Sequence, residues 1–157
     1  MMKINVVCVG KIKEKYYEEA VNEYVKRLGR YAKVTIKEVK EVNFNSEPTD
    51  KDILDILNRE GEEIKKNLTG TVAVLAIEGK HYSSVEFSKF ISSVKDKSGE
   101  LTLVIGGSYG IADSVKALAD YKISFSNMTF PHTLTRVILT EQLYRAFNIL
   151  NEGKYHK

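Results

Sequence analysis

The residues best suited to chemistry in this 157-residue chain gather in three places. In Ser126-Asn127-Met128-Thr129-Phe130-Pro131-His132-Thr133-Leu134-Thr135-Arg136, a polar loop leads into a helical stretch with an imidazole and a guanidinium four residues apart. Spacing of four puts both on one helix face. At a helix N-terminus, His132 and Arg136 augment the free amides and the positive dipole end, which suits an anion such as phosphate. Cations there otherwise cost about 0.3–1 kcal/mol. The competing reading is local: His132 caps the helix and Arg136 pairs with an acid such as Glu141, while Glu141 and Arg145, also four apart, need no ligand.

The second place is Ile105-Gly106-Gly107-Ser108-Tyr109-Gly110. Glycines let the backbone approach a ligand closely or adopt positive φ, but the run is neither Gly-x-x-x-x-Gly-Lys-Ser/Thr nor Gly-x-Gly-x-x-Gly. It is either a ligand cradle of another kind or a structural turn. The third is the terminal Gly153-Lys154-Tyr155-His156-Lys157. Tails normally fray; an aromatic, an imidazole and a cation there can instead stack on a base and hold a phosphate. Cys8, the sole cysteine, excludes an intramolecular disulfide and a multi-cysteine metal site, and its apolar run reads as a buried strand.

These segments need a scaffold. β-branched runs at about 3–9, 33–42, 71–77, 100–106 and 121–126 alternate with stretches of helical apolar spacing. Ala20, Val21, Tyr24, Val25 and Leu28 share one helix face over 16–29. A capping-box-like Thr49-Asp50-Lys51-Asp52 opens a second helix with Ile53, Leu57, Ile64 and Leu68 inward, and Ser83-Ser84-Val85-Glu86 opens a third with Val85, Phe87, Phe90, Ile91 and Val94 inward. Helices over 112–119 and 133–150 complete the set.

Strands 71–77 and 101–105 are apolar almost throughout and do not alternate, as strands are when helices cover both faces of a parallel sheet. The expectation is an α/β, doubly wound, mostly parallel sheet in a single domain, 1–157, with ligands outside the carboxyl ends of the strands. That places the chemistry in the loops after Ile77, Ile105 and Ser126.

The composition, 43% apolar and 29% charged with net charge +3, is that of a globular chain and excludes global disorder. The longest apolar stretch, Val72 to Ile77, falls far short of the roughly 20 residues of a membrane helix. No signal peptide is read at the N-terminus, so a cytoplasmic protein with no membrane association is expected. Residues 1–40 carry twice as many Lys/Arg as acids and residues 101–157 are mildly basic. These segments either meet a phosphate-rich partner or are solvated faces.

Taken together, the motifs at 105–110 and 126–136, Leu139-Thr-Glu-Gln-Leu-Tyr-Arg-Ala146 and the terminal Tyr155-His156-Lys157 resemble the ribosomal RNA large subunit methyltransferase H family, of the SPOUT class. The resemblance runs from the opening Met-Lys-Ile-Asn-Val-Val-Cys-Val-Gly to the last residue. It implies a cytoplasmic homodimer that methylates nitrogen 3 of a pseudouridine in 23S rRNA of the ribosome, with S-adenosylmethionine as donor and no metal. It also implies a sheet whose C-terminal part forms a trefoil knot, which no periodicity reveals.

By the same resemblance, the donor pocket maps onto Leu75, Gly107 and the loop Ser126, Asn127, Met128, Thr129, Phe130 and Pro131. His132, Arg136, Tyr155 and His156 map onto substrate binding or catalysis. Some relatives have Pro where Ser108 stands and end in Tyr-His-Arg; Lys157 holds a phosphate as a point charge, without the bidentate grip of Arg.

On this reading His156 is the candidate base for the imide proton, since imidazole titrates near neutral pH, with water or the RNA as other acceptors. Helix 133–150 is the candidate dimer face, and Lys11, Lys13 and Lys15 are candidate RNA contacts. Two rival readings are a non-enzymatic ribosome- or RNA-associated binding module and an α/β enzyme using another nucleotide such as NAD.

Overall fold

The computed structural model describes every residue, Met1–Lys157. The elements follow as β1 (Met2–Val9), α1 (Lys15–Leu28), β2 (Ala32–Val39), α2 (Asp50–Lys65), β3 (Thr71–His81), α3 (Ser84–Lys97), β4 (Glu100–Ile105), α4 (Asp113–Leu118), β5 (Tyr121–Ser124) and α5 (His132–Leu150). The five strands form one sheet in the order β2-β1-β4-β3-β5, and every pairing is parallel. The expected α/β class is the observed one.

Both sheet faces are covered, and strand alternation shows how. Ile4, Val6 and Cys8 of β1 join Leu101, Leu103 and Ile105 of β4 in a core closed by Leu28 of α1, Phe87 and Ile91 of α3 and Leu139 and Leu143 of α5. Val7 and Val9 point the other way, joining Val74, Val104, Ile64 of α2 and Val115 of α4. A strand packed on both faces favours apolar residues throughout, hence the nearly continuous apolar runs. Thr102, the polar residue inside β4, is fully buried and donates from Oγ1 to the Thr69 carbonyl at 2.7 Å. Each buried Leu, Ile or Phe contributes about 1.5–3 kcal/mol.

Helix starts match their local chemistry. Thr49 and Asp52 form a reciprocal capping box at α2, and Ser83 and Glu86 another at α3, each satisfying amides that lack an intrahelical partner. The hydrogen bonds made by its carboxylate hold Glu86 below the usual carboxylate range. Gly61, anomalous inside α2, lies where a Cβ would come 3.1 Å from Ala112 Cβ and 3.3 Å from Val115 Cγ2. It lets α2 approach the start of α4.

Some expectations are corrected. β3 continues past residue 77 to His81, because the chain loops out after Leu75 and returns: Leu75 and Lys80 both pair with Ile123. Gly79 permits the return, since a Cβ there would lie 2.7 Å from Ile123 N. β2 ends at Val39 and β5 at Ser124, earlier than the apolar texture suggests. Val85 faces outward while Ser88 is buried, and α2 turns Ile56 and Glu60 inward as well as Ile64. No helix is long and apolar enough to cross a membrane.

Candidate active site

A cavity of about 800 Å³ opens at the carboxyl ends of β3, β4 and β5. The strand-end rule places it there before any side chain is considered. One wall is the β3 bulge, Leu75 to Glu78; the second is the glycine turn, Gly106 to Gly110; the third runs from Phe125 to His132 with Thr135. Of the residues expected to hold the methyl donor, Leu75, Gly107, Ser126, Met128, Thr129, Phe130 and Pro131 line it, and Asn127 does not. Asn127 faces solvent.

The turns are built rather than loose. Ser126 Oγ accepts from Met128 N at 3.0 Å, and Ser124 Oγ donates to the Ser126 carbonyl at 3.0 Å. Pro131 ends the loop, its carbonyl accepting from Thr135 N at 3.0 Å as α5 begins. α5 has no side-chain cap and no acid in its first turn, so no side chain of its own satisfies its first amides. In the glycine turn, a Cβ at Gly106 would lie 2.4 Å from Gly110 O and one at Gly107 3.0 Å from Val9 Cγ1. Gly106 is thus demanded by the protein's own packing and Gly107 is closely fitted against Val9, and both line the cavity.

Two charged side chains enter the wall. Lys116 Nζ donates to Glu78 Oε1 at 2.6 Å across the mouth, and that hydrogen bond holds the Glu78 carboxyl below the usual range. His132 also lines the cavity, its ring beside the Gly10 backbone. Glu78 and Lys116 carry no sequence signal of their own: Glu78 directly follows the apolar run, but its side of the sheet depends on the bulge. Behind the glycine turn, Glu60 is 4% exposed. It accepts from Val42 N at 3.0 Å, and burial pushes its carboxyl up.

Arg136 corrects the anion-site expectation. Its side chain is 2% exposed, with Nη1 2.7 Å from Glu38 Oε2 and Nη2 donating to the Gly10 carbonyl at 3.2 Å. Its partner is therefore neither a cavity anion nor Glu141. Glu141 instead takes Arg145, as their spacing suggests. Cys8 is buried, and burial pushes its thiol up to about 11, so it is a packed apolar group. No cluster of His, Cys, Asp and Glu that could hold a metal occurs.

Tyr155 and His156 do not line this chain's own cavity. They lie against α5 and α1, where Tyr155 Oη is 3.4 Å from Tyr24 Oη and donates to Glu141 Oε1 at 3.0 Å. Burial, with these two hydrogen bonds, pushes the Tyr155 phenol well above its usual range. The tail is folded, not frayed.

A family profile described as "Predicted SPOUT methyltransferase" matches residues 2–156. The chain belongs to the SPOUT methyltransferases. It is 47% identical over 160 residues to the "Ribosomal RNA large subunit methyltransferase H" of Enterococcus faecalis, covering 99% of this chain and 100% of that protein. The protein of the same name from Clostridium tetani is 44% identical over 159 residues, with the same coverage. The family read from the four motifs therefore holds. A solved "probable methylase family protein" from Haemophilus influenzae shares the SPOUT fold at TM-score 0.56 and 12% identity, covering 98% of this chain and 70% of that one.

Proposed function

We propose that this protein transfers a methyl group from S-adenosylmethionine to nitrogen 3 of a pseudouridine in 23S rRNA of the ribosome. The observation that carries the reading is the cavity itself: it stands at the strand ends, and every residue expected to hold the donor, save Asn127, lines it. Membership in a methyltransferase family and the names of its relatives give the reaction class and the RNA.

The donor supplies a methyl group already activated on a positively charged sulfur, so alignment is the main task left to the protein. Leu75 and Phe130 offer apolar cover for a flat ring, while the backbone of 126–131 offers amides and carbonyls to its edge. The Gly106–Gly107 backbone leaves room for a sugar. At the mouth, Lys116 and Glu78 present one cation and one anion, matching the two charges of an amino-acid end. His132 and the bare first amides of α5 face the reacting end. The base nitrogen, having lost its imide proton to water, forms the new N–C bond as the C–S bond breaks, and that bond's electron pair returns to sulfur.

The placement of the tail supports a reading with a second subunit. Because Tyr155 and His156 lie away from their own cavity, they serve the reaction in a two-fold dimer in which each tail reaches the other's site. Leu134, Val137 and Ile138 on the outer side of α5 are only half-buried in one chain, and they form the dimer face. Lys11 and Lys13 in the segment after β1 and Lys15 at the start of α1 are exposed, on the same rim as the cavity, where RNA phosphates would approach.

The test is direct. Purified protein is incubated with ribosomes lacking the modification and methyl-labelled donor, and digested nucleosides are analysed by mass spectrometry. Label in N3-methylpseudouridine from 23S rRNA is expected. Label elsewhere, or no donor binding by calorimetry, would sink the reading, the latter in favour of a binding module.

A further inference from the structure

After α5 the chain reverses over Asn151 to Gly153. Asn148, buried in the last turns, accepts at its carbonyl from Gly153 N at 2.8 Å and at Oδ1 from Tyr155 N at 3.0 Å. The reversal lays Tyr155 back along the helix, its ring 4.9 Å from that of Tyr144. Its hydroxyl ends on Glu141 Oε1 at 3.0 Å.

That carboxylate oxygen also receives Arg145, through Nε at 3.0 Å and through Nη2. The guanidinium is thereby fixed, with its carbon 4.8 Å above the Tyr155 ring. Its remaining nitrogen, Nη1, lies 3.0 Å from Nδ1 of His156.

The direction of this last bond is decided by chemistry. A guanidinium carries five N–H donors, has no acceptor lone pair and does not lose its charge in proteins. Nδ1 must then supply the lone pair, and in a neutral imidazole the proton sits on Nε2. An imidazolium would set an N–H against an N–H.

We propose that Arg145, oriented by Glu141, locks His156 in the Nε2–H form, so that His156 serves methyl transfer as a hydrogen-bond donor to the substrate base and not as its proton acceptor. This rests on the proposed function with the tail acting on a partner's site. As the imide proton leaves for water, negative charge spreads onto the carbonyl oxygens flanking the nitrogen, and a fixed donor aimed at one of them stabilises it. Glu141 and Arg145 are positioning residues; His156 is the group that touches the base.

Histidine is present only at His81, His132 and His156, so long-range proton–nitrogen NMR on the full-length ¹⁵N-labelled protein, with His156→Gln to assign the signal, reads the tautomer directly. His156 is expected as Nε2–H in the wild type, and as a mixture of tautomers in Arg145→Met and in Glu141→Gln. An Nδ1–H or doubly protonated ring in the wild type, or an unchanged tautomer in a folded Arg145→Met, overturns the lock.

Turnover separates donor from base. The amide nitrogen of Gln stands near the place of Nε2, so His156→Gln should lower kcat about tenfold where His156→Ala lowers it at least about a hundredfold. Equal losses would make His156 the base and overturn its role as donor. No turnover in the wild type, with the tautomer as expected, would instead sink the methyl-transfer reading and leave the lock standing.

Discussion

Arg136 of α5 and Glu38 of β2 are 2.7 Å apart, with Arg136 almost wholly enclosed and the Glu38 side chain 36% exposed. With its second hydrogen bond to the Gly10 carbonyl, the guanidinium ties the first turns of α5 to the ends of two strands. The cavity loop and His132 hang from those turns. Arg136 acts on the site from behind.

The pair is asymmetric, and that sets the first prediction. Removing Glu38 leaves a buried cation unpaired, so Glu38→Ala should cost about 3 kcal/mol. Removing Arg136 lets Glu38 turn to water and leaves mainly the Gly10 carbonyl unsatisfied, so Arg136→Met should cost less, about 1–2 kcal/mol. Urea unfolding followed by circular dichroism measures both. A larger loss for Arg136→Met would show that the guanidinium does more than neutralise Glu38.

The glycine turn predicts a second contrast. An alanine Cβ at Gly106 would collide with the Gly110 carbonyl and must displace the turn. Gly106→Ala should weaken S-adenosylmethionine binding by at least about tenfold, or 1.4 kcal/mol. Met128, 72% exposed although at the rim, can be cut to Ala with a change of only about two- to threefold. Calorimetry with the donor decides, and equal affinities for both variants would move the donor away from the turn.

Glu60 sets a pH dependence. Burial raises its carboxyl in the folded chain. Ionisation therefore opposes folding, and stability falls as pH rises from the ordinary carboxylate range through the raised folded value. Glu60→Gln can still accept from Val42 N and carries no charge. Its Tm should exceed that of the wild type at pH 7, and the gap should close near pH 4. A gap of the same size at both pH values would contradict the assignment.

The proposed sharing of the site between two subunits predicts complementation. Gly106→Ala impairs the donor cavity and deletion of 153–157 removes the tail, so at donor concentrations that do not saturate Gly106→Ala each protein alone should be weakly active or inactive on ribosomes. Mixed after co-refolding, about half of the dimers pair one intact cavity with one intact tail and should methylate. An inactive mixture, with dimers shown by sedimentation, would put the tail back on its own chain.

Much of the scaffold was legible in the amino-acid order because its causes are local. The Thr49–Asp52 and Ser83–Glu86 boxes depend on three-residue spacing, helix faces on a 3.6-residue period, and the apolar runs of β3 and β4 on burial from both sides. The family was equally legible, since its four motifs are short and ordered. Where periodicity erred, the neighbour was at fault: Val85 fits an inward stripe, yet Ser88 takes the buried place and donates to the Val85 carbonyl.

The roles of individual site residues were decided by tertiary structure alone. Four-residue spacing aligns Arg136 with His132, but Glu38, 98 positions away, determines where the guanidinium turns. Residue types put His156 forward as a base, whereas Arg145 and a reversal at Asn148 determine which nitrogen carries the proton. Sequence periodicity reports which side of an element a group occupies. The charge or lone pair that group meets comes from elements far along the chain, and only packing brings them together.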